Sequence, residues 1–409
     1  MKCRFCNNEL KNVFIDLVNA PPSNSYLTKE QLINEPEIYF PLKVFLCEKC
    51  WLVQVDEHKK FSEIFDKNYA YFSSYSSSWL KHSENYVNMI SDRLKLDKNS
   101  LVIEIASNDG YLLQYFLPKR IPCIGIEPTV DTARIAKKKG IHSIEDFFSV
   151  KLAKQLAEEG KTADLILGNN VLAHVPDIND FVEGLRIALK PQGSITMEFP
   201  HLLNLIKFNQ FDTIYHEHFS YFSLFAVKRN FEAHHLVICD VEELPTHGGS
   251  LRIYAKHKNN TKINISSNVS TVLKKEKDFG LSNLDIYRNF QDKADKIKYA
   301  FLEFLLQQKK SGKKVAAYGA AAKGNTLLNY CGIKNDFIEF VVDKSPHKQN
   351  KYLPGSHIPI VSEDMLKTER PDYVIILAWN IKDEITEQLS YIRNWNGHFV
   401  VLVPDIRIF

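Results

Sequence analysis

Residues 101–117, LVIEIASNDGYLLQYFL, pass from an unbroken apolar run through a turn of small and acidic residues into a second apolar run. LVIEIAS reads as a strand buried on both faces, and DGYLLQYFL as a helix packed behind it. Working outward, CIGIEP (123–128) is a second strand and VDTARIAKKKG (130–140) a second helix. ADLILGNNVL (163–172) is another strand, INDFVEGLRIALKPQG (178–193) a helix, and GSITMEF (193–199) a strand. Strands alternating with helices at this interval predict a parallel, doubly wound α/β sheet. Ligands of such sheets sit beyond the carboxyl ends of the strands. Glu104, Ser107, Asn108, Asp109 and Gly110 therefore stand where a ligand is expected, at the first strand–helix junction.

Glu127 and Pro128 close the second strand, where a carboxylate can hydrogen-bond both hydroxyls of a ribose. NAD and S-adenosylmethionine (SAM) sites share this logic. The Gly-x-Gly-x-x-Gly fingerprint is absent, so no pyrophosphate cradle is expected. Glu104 suits a positively charged methionine moiety. Asp146 and Phe147 in EDFFS (145–149), and Asn169 and Asn170 in GNNVLAHVPD (168–177), occupy further strand ends that would line adenine and the sulfonium. Alone, Glu127 reads as a solvated strand-end acid; the combination predicts a Rossmann-like SAM domain.

The alternation returns near the C-terminus in KVAAYGA (314–320), KGNTLLNYCG (323–332), FIEFVVD (337–343), DYVIILAW (372–379) and HFVVLVP (398–404). A charged connector lies between, with Ile286, Phe290, Ile297, Phe301 and Phe304 on one helical face. The expected organisation is an N-terminal module over 1–75, a SAM domain over 76–255, and a linker helix with a second, smaller α/β domain over 256–409. A chain of 409 residues has the length for several cores. Its net charge of +3, with basic residues dispersed, argues against a nucleic-acid surface. No apolar run has the length of a membrane span, and MKCRFCNNEL lacks a signal-peptide core, so the expected location is the cytoplasm.

Four of the seven cysteines form two knuckles, Cys3-x-x-Cys6 and Cys47-x-x-Cys50. Each knuckle offers two thiolates from one tight turn, and two knuckles close a tetrahedral zinc shell. With no open position, that zinc would be structural. The forty residues between the knuckles must loop out.

IYHEHFSYFS (214–223) crowds two histidines, a glutamate and two tyrosines among apolar neighbours. It reads equally as a satisfied polar cluster joining two lobes or as acid–base machinery. Chelation by His216 and His218 has no support from H-E-x-x-H spacing.

Taken together, CRFC…CEKC, YAYFSSYS (69–76), EIASNDGYLL, GNNVLAHVPD, IYHEHFSYFS, THGGSLR (246–252), AYGAAAKGNTLLN (317–329) and VVDKSPHKQNKYLPGSHIPI (341–360) stand in the order of the sugar C-methyltransferases. The chain resembles, over essentially its whole length, the C-3 methyltransferases of the tetronitrose and mycarose type, which act on nucleotide-linked deoxyketosugars. Ala106 departs from the pattern, since the family prefers glycine there.

The resemblance implies a SAM-dependent methyltransferase that makes a carbon nucleophile beside a ketone. Such chemistry needs a base at the C–H and a donor for the enolate oxygen. By resemblance His218 is the base, Tyr215 the donor to the ketone or a sugar hydroxyl, and Glu217 the group that orients His218 or holds a sugar substituent. His216 is expected beside the substrate, or facing the opposite side of an extended segment. His174 is a second polar group over the sugar or a loop anchor. The resemblance also puts Tyr71 and Tyr75 on the cleft. Gly248 and Gly249 would allow close backbone approach to a ligand, with Ser250 and Arg252 near the sugar.

In the C-terminal domain, the strand–turn–helix at 316–329 suggests a phosphate site. Lys323, Asn325 and Thr326 would be donors there, and Asp343 ends the next strand. Lys348 and Tyr352 lie in a loop expected to close over the diphosphate. The expected substrate is a ketosugar on dTDP, with GDP and CDP left open, and the expected state is a monomer. An NAD-dependent nucleotide-sugar oxidoreductase is the rival reading.

Overall fold

The computed structural model describes residues 1–58 and 72–409. Along the chain, β1 (Asn12–Ala20), β2 (Phe40–Leu46) and β3 (Val53–Val55) form an antiparallel meander. Leu42, Val44 and Leu46 alternate inward along β2, the period of a half-buried strand. The Cys47–Cys50 knuckle is the turn from β2 to β3. This small sheet borrows its core. Phe14 stacks on Phe290 of the connector helix Phe290–Lys310, with ring centroids 4.6 Å apart.

The central sheet holds β4 (Val102–Ile105), β5 (Cys123–Ile126), β6 (His142–Ile144), β7 (Ala163–Asn169) and β8 (Leu189–Pro200), all parallel. β9 (Ser220–Tyr221) leaves this domain and pairs with β3, giving the order β1-β2-β3-β9 in the N-terminal sheet. β10 (Leu236–Leu244) and β11 (Ser250–His257) then complete the central sheet in the order β10-β11-β8-β7-β4-β5-β6. β11 runs antiparallel to both β8 and β10, so the expected all-parallel sheet carries one reversed strand next to its edge. The strand order reverses between β4 and β7, and that switch point opens the ligand crevice.

One expected helix is missing. DGYLLQYFL yields only a 3-10 turn, Leu113–Tyr115. Gly110 (φ +75°) and Pro118 leave under two helical turns between them. Tyr111, Leu112, Leu113 and Phe116 are buried, while Gln114, Tyr115 and Leu117 are partly exposed. The helix Ser77–Leu94 does form; Ser76 caps it by accepting from the Trp79 amide, and Tyr86, Val87 and Ile90 are buried.

The C-terminal sheet comprises β12 (Val315–Tyr318), β13 (Val341–Val342), β14 (Ile360–Val361), β15 (Tyr373–Ile376), β16 (His398–Val401) and β17 (Arg407–Ile408), ordered β14-β13-β12-β15-β16-β17. Only β17 runs antiparallel. Among the described residues, no helix is long and apolar enough to cross a membrane.

Candidate active site

The four cysteine sulfurs lie within 4.8 Å of one another, with Cys3–Cys50 and Cys6–Cys47 each at 3.5 Å. A tetrahedral zinc with bonds of about 2.3 Å needs sulfurs about 3.8 Å apart, so the cluster fits the ion. Gln54 Nε2 donates to Cys3 Sγ at 3.3 Å and its Oε1 accepts from the Arg4 amide at 2.9 Å, a second layer around the thiolates. The Arg4 guanidinium donates to the Pro176 and Val55 carbonyls, tying the knuckle to the rim of the central crevice.

The crevice is a cleft of about 740 Å³ lined from three sides. The SAM domain contributes Ala106, Asn108, Glu127, Pro128, Asp146, Phe147, Asn169 and Asn170. Tyr215, His218 and His174 form another wall, and Lys323 and Lys348 come from the C-terminal domain. Ala106, Asn108, Asn170 and His247 all line the cleft with φ between +50° and +56°. Strain of this kind clusters where a backbone is shaped for a ligand. It also explains the departure at 106: the position is left-handed, where glycine costs least and alanine is tolerated at roughly 1–2 kcal/mol.

Glu127 accepts from the Asn108 and Thr129 amides, each at 2.9 Å. The Thr129 hydroxyl also donates to it, so of the roughly four acceptor sites of a carboxylate about one is left for a ribose hydroxyl. Burial pushes the Glu104 carboxyl well above its ordinary range, with the Tyr111 side chain opposing and Asp109 and Glu127 adding like charge. Glu104 is fully buried beneath the cleft and does not line it, so the expected direct contact with a methionine moiety is not formed by its side chain, and the fit rests on Glu127, Asn108 and the cleft wall. The residues present therefore fit SAM. Glu127→Gln removes acceptor capacity and charge at the ribose position. S-adenosylhomocysteine is expected to bind about tenfold more weakly or worse, measured by calorimetry.

Ser107, Asp109 and Gly110 do not reach the cleft. A Cβ on Gly125 would fall 2.4 Å from Ser107 Oγ, Asp109 faces Lys139 at 3.7 Å, and Gly110 packs on Ala136 and Ile141. Their place is beneath the ligand loop, shaping it.

His218 Nδ1 lies 2.9 Å from the Thr213 carbonyl and Nε2 lies 2.8 Å from the Tyr215 hydroxyl. A carbonyl only accepts, so Nδ1 carries the hydrogen and Nε2 presents its lone pair. Burial pushes His218 well below the usual imidazole range, with His174, His247 and Lys323 adding like charge. His174 donates from Nδ1 to the Glu217 carbonyl at 2.7 Å, and burial lowers it to about 4. The two imidazoles meet edge to face at 4.7 Å. Lys323 donates to Asn380 at 2.5 Å and lies over the Trp379 ring at 4.7 Å; burial lowers it to about 8.

Several expected contacts go elsewhere. His216 turns from the cleft to the Pro41 carbonyl and the Phe40 ring, because residues 215–218 form a turn, closed by the His218 amide on the Tyr215 carbonyl at 2.9 Å, that brings His218 back beside Tyr215 and leaves His216 on the outside. Arg252 is buried in ion pairs with Glu198 (2.8 Å) and Glu242 (3.1 Å), and Ser250 donates to the Thr246 carbonyl. The paired glycines admit the protein's own side chains: a Cβ on Gly248 would meet Trp379 at 2.5 Å, and one on Gly249 would meet Asn204 at 2.3 Å. Asn325 donates to the Ser23 carbonyl and Thr326 to the Ile214 carbonyl. Asp343 accepts from the Ala320 and Ser345 amides, and Tyr352 pairs with Leu27. Tyr75 is 59% exposed and stands beside Phe72 and His347 outside the cleft. Tyr71 lies outside the described residues.

Trp79, His82, His247 and Asn24 line the cleft without having been singled out in the sequence. Trp79 and His82 are one helical turn apart and stack at 4.9 Å, a pairing readable as i,i+3 once the helix is assigned. Asn24 had no such signal.

Fold and cleft together are those of a SAM-dependent methyltransferase with a zinc module. Residues 3–65 match a zinc binding domain, 81–240 a methyltransferase domain, and 245–404 the C-methyltransferase C-terminal domain. The chain is 33% identical to C-methyltransferase NovU of Streptomyces niveus over 412 aligned positions, covering 100% of this chain and 96% of NovU. It belongs to the C-methyltransferase family. It is also 29% identical over 99 residues to a ubiquinone biosynthesis O-methyltransferase of Bartonella tribocorum, covering 23% of this chain and 39% of that one. A solved SAM-dependent methyltransferase from Anabaena variabilis superposes with a TM-score of 0.35 at 19% identity, covering 42% of this chain and 83% of that one.

Proposed function

We propose that the chain methylates C3 of a nucleotide-linked 4-keto-deoxysugar, with His218 as the general base. The observation that carries this reading is the neutral His218, held by Thr213 with its Nε2 lone pair against the Tyr215 hydroxyl inside the shielded cleft. SAM, when bound, supplies an electrophilic methyl group. Glu127 and Asn108 would hold its ribose side, and Asp146 and Phe147 would stand at its adenine side.

His218 Nε2 takes the proton from the carbon beside the ketone. The Tyr215 hydroxyl turns its hydrogen to the ketone oxygen and stabilises the developing enolate. Glu217 lies next to the base, with its carbonyl fixing His174. An imidazolium in this shielded, cation-rich setting is a strong acid, so the proton passes readily to water and the base is restored.

Lys323 and Lys348 are the two cations of the C-terminal domain on the cleft wall, which supports a diphosphate there. The family resemblance supports dTDP as the nucleotide. One chain supplies all three walls, which supports action as a monomer.

Solvent exchange tests the reading. A dTDP-4-keto-6-deoxysugar is incubated with the protein and S-adenosylhomocysteine in deuterated water. Deuterium at C3, read by NMR, is the expected result. Bound sugar without exchange would overturn the enolate route. Melting-point shifts with S-adenosylhomocysteine but not with NAD separate this reading from an oxidoreductase.

A further inference from the structure

The forty residues between the cysteine knuckles are far more than a zinc ribbon needs. Part of that excess, residues 21–27, is threaded into the catalytic cleft. Its backbone is held firmly: the Ser23 carbonyl accepts from Asn325 at 2.6 Å, the Tyr26 hydroxyl donates to the Ala320 carbonyl at 2.6 Å, and Leu27 exchanges two backbone hydrogen bonds with Tyr352. Pro21, Pro22 and Ser23 are buried. Asn24, next in line, is partly open and lines the cleft with Tyr215 and His218. Its Nδ2 donates to Glu217 Oε1 at 3.4 Å.

A loop that only connected two knuckles would not need this anchoring. Every anchor falls on the C-terminal domain, and the anchored loop presents one amide to the segment that carries the base. The Asn24 carboxamide itself offers both a donor and an acceptor, which suits a ring hydroxyl or amine next to the reacting carbon, while Glu217 is buried behind it, off the cleft wall, and orients the amide.

We propose that Asn24 is a substrate-contacting specificity residue, delivered to the cleft by the zinc module and set beside Glu217 to hold a polar substituent of the methyl acceptor. This rests on the ketosugar reading above.

Asn24→Asp keeps the shape, removes the donor and adds a charge beside Glu217; Asn24→Ala removes the group. Both are assayed in the zinc-loaded, full-length protein with dTDP-4-keto-6-deoxyglucose. KM for the sugar is expected to rise about tenfold or more in each variant. Zinc content, melting temperature and S-adenosylhomocysteine affinity are expected to stay at wild-type values. A KM within about twofold of wild type overturns the proposal, as does a KM change that comes with lost zinc or weakened S-adenosylhomocysteine binding. If the wild type binds S-adenosylhomocysteine but neither exchanges nor methylates the sugar, the ketosugar reading fails and the proposal falls with it. That outcome is distinguished by appearing before any variant is made.

Discussion

His218→Asn is expected to lose C3 exchange and methyl transfer by about 10²–10⁴-fold, the usual contribution of a positioned general base. The asparagine amide can still donate to the Thr213 carbonyl, as Nδ1 does now, so the loop keeps its anchor. Only the lone pair at Nε2 disappears. S-adenosylhomocysteine binding should be unchanged, because Glu127 and Asn108 lie on another wall of the cleft. Loss of exchange with retained cofactor binding would assign the base; equal loss of both would make His218 a folding residue.

The pH dependence follows from the same environment. Burial lowers His218 well below its ordinary value, and lowers His174 and His247 from 6.5 to about 4. With His218 held below its ordinary range, the exchange rate should show no acid limb near the ordinary imidazole value of 6.5. The sign for stability is the reverse of a histidine that gains an anionic partner. Between about 6.5 and 4 the unfolded chain binds protons that the folded chain does not, so stability falls as pH falls through that window. Across pH 4.5–7.5 the melting temperature should decline on acidification, while the exchange rate of the folded protein should show no separate limb at 6.5. An isolated rate limb at 6.5 with a constant melting temperature would contradict the burial argument.

Zinc removal is expected to have the second large effect, and to act at a distance. The knuckle Cys47–Cys50 turns β2 into β3, and β3 pairs with β9, directly after the base-bearing segment. The Val55 amide donates to the Phe219 carbonyl at 3.1 Å, while Thr326 holds Ile214 at the segment's other end. The base is thus strung between the zinc module and the C-terminal domain. Structural zinc sites contribute of order 10 kcal/mol in small zinc domains, more than the borrowed core of β1–β3 can replace. Chelation, or Cys50→Ser, should remove hydrogen-exchange protection from residues 12–55 and 214–222. Protection in β4, β5 and β7 should survive, with S-adenosylhomocysteine still bound. Displacing the base by about 1 Å costs about 10²-fold, so C3 exchange should fall at least that far. Protection lost uniformly over the whole chain would instead make zinc a global stabiliser.

Much of this was legible in the linear chain, and the reasons differ by element. The strand run LVIEIAS was readable because a strand buried on both faces is a local, uninterrupted apolar pattern. The cysteine knuckles were readable because tetrahedral thiolate chemistry imposes a spacing within one turn. Glu127 was readable because it ends a strand, where the sheet's own topology puts ligands. The helix expected at DGYLLQYFL failed because Gly110, in the left-handed region, and Pro118 leave under two helical turns between them.

What the linear chain could not decide is direction and partnership. His216 and His218 are the same residue type two positions apart, yet one faces Pro41 and the other the cleft; the turn closed by the His218 amide on the Tyr215 carbonyl separates them. Arg252, Asn325, Thr326 and Gly248 look like ligand groups by composition, but tertiary packing commits them to Glu198, Ser23, Ile214 and Trp379. Asn24 is the converse, a plain loop residue more than 190 positions from Glu217 that packing makes its neighbour. Local sequence determined which elements form and which chemical groups are present, because propensity and ligand spacing act within a few residues. Only the tertiary structure decided which of those groups share one cleft, because long-range hydrogen bonds and burial select among side chains that are locally equivalent.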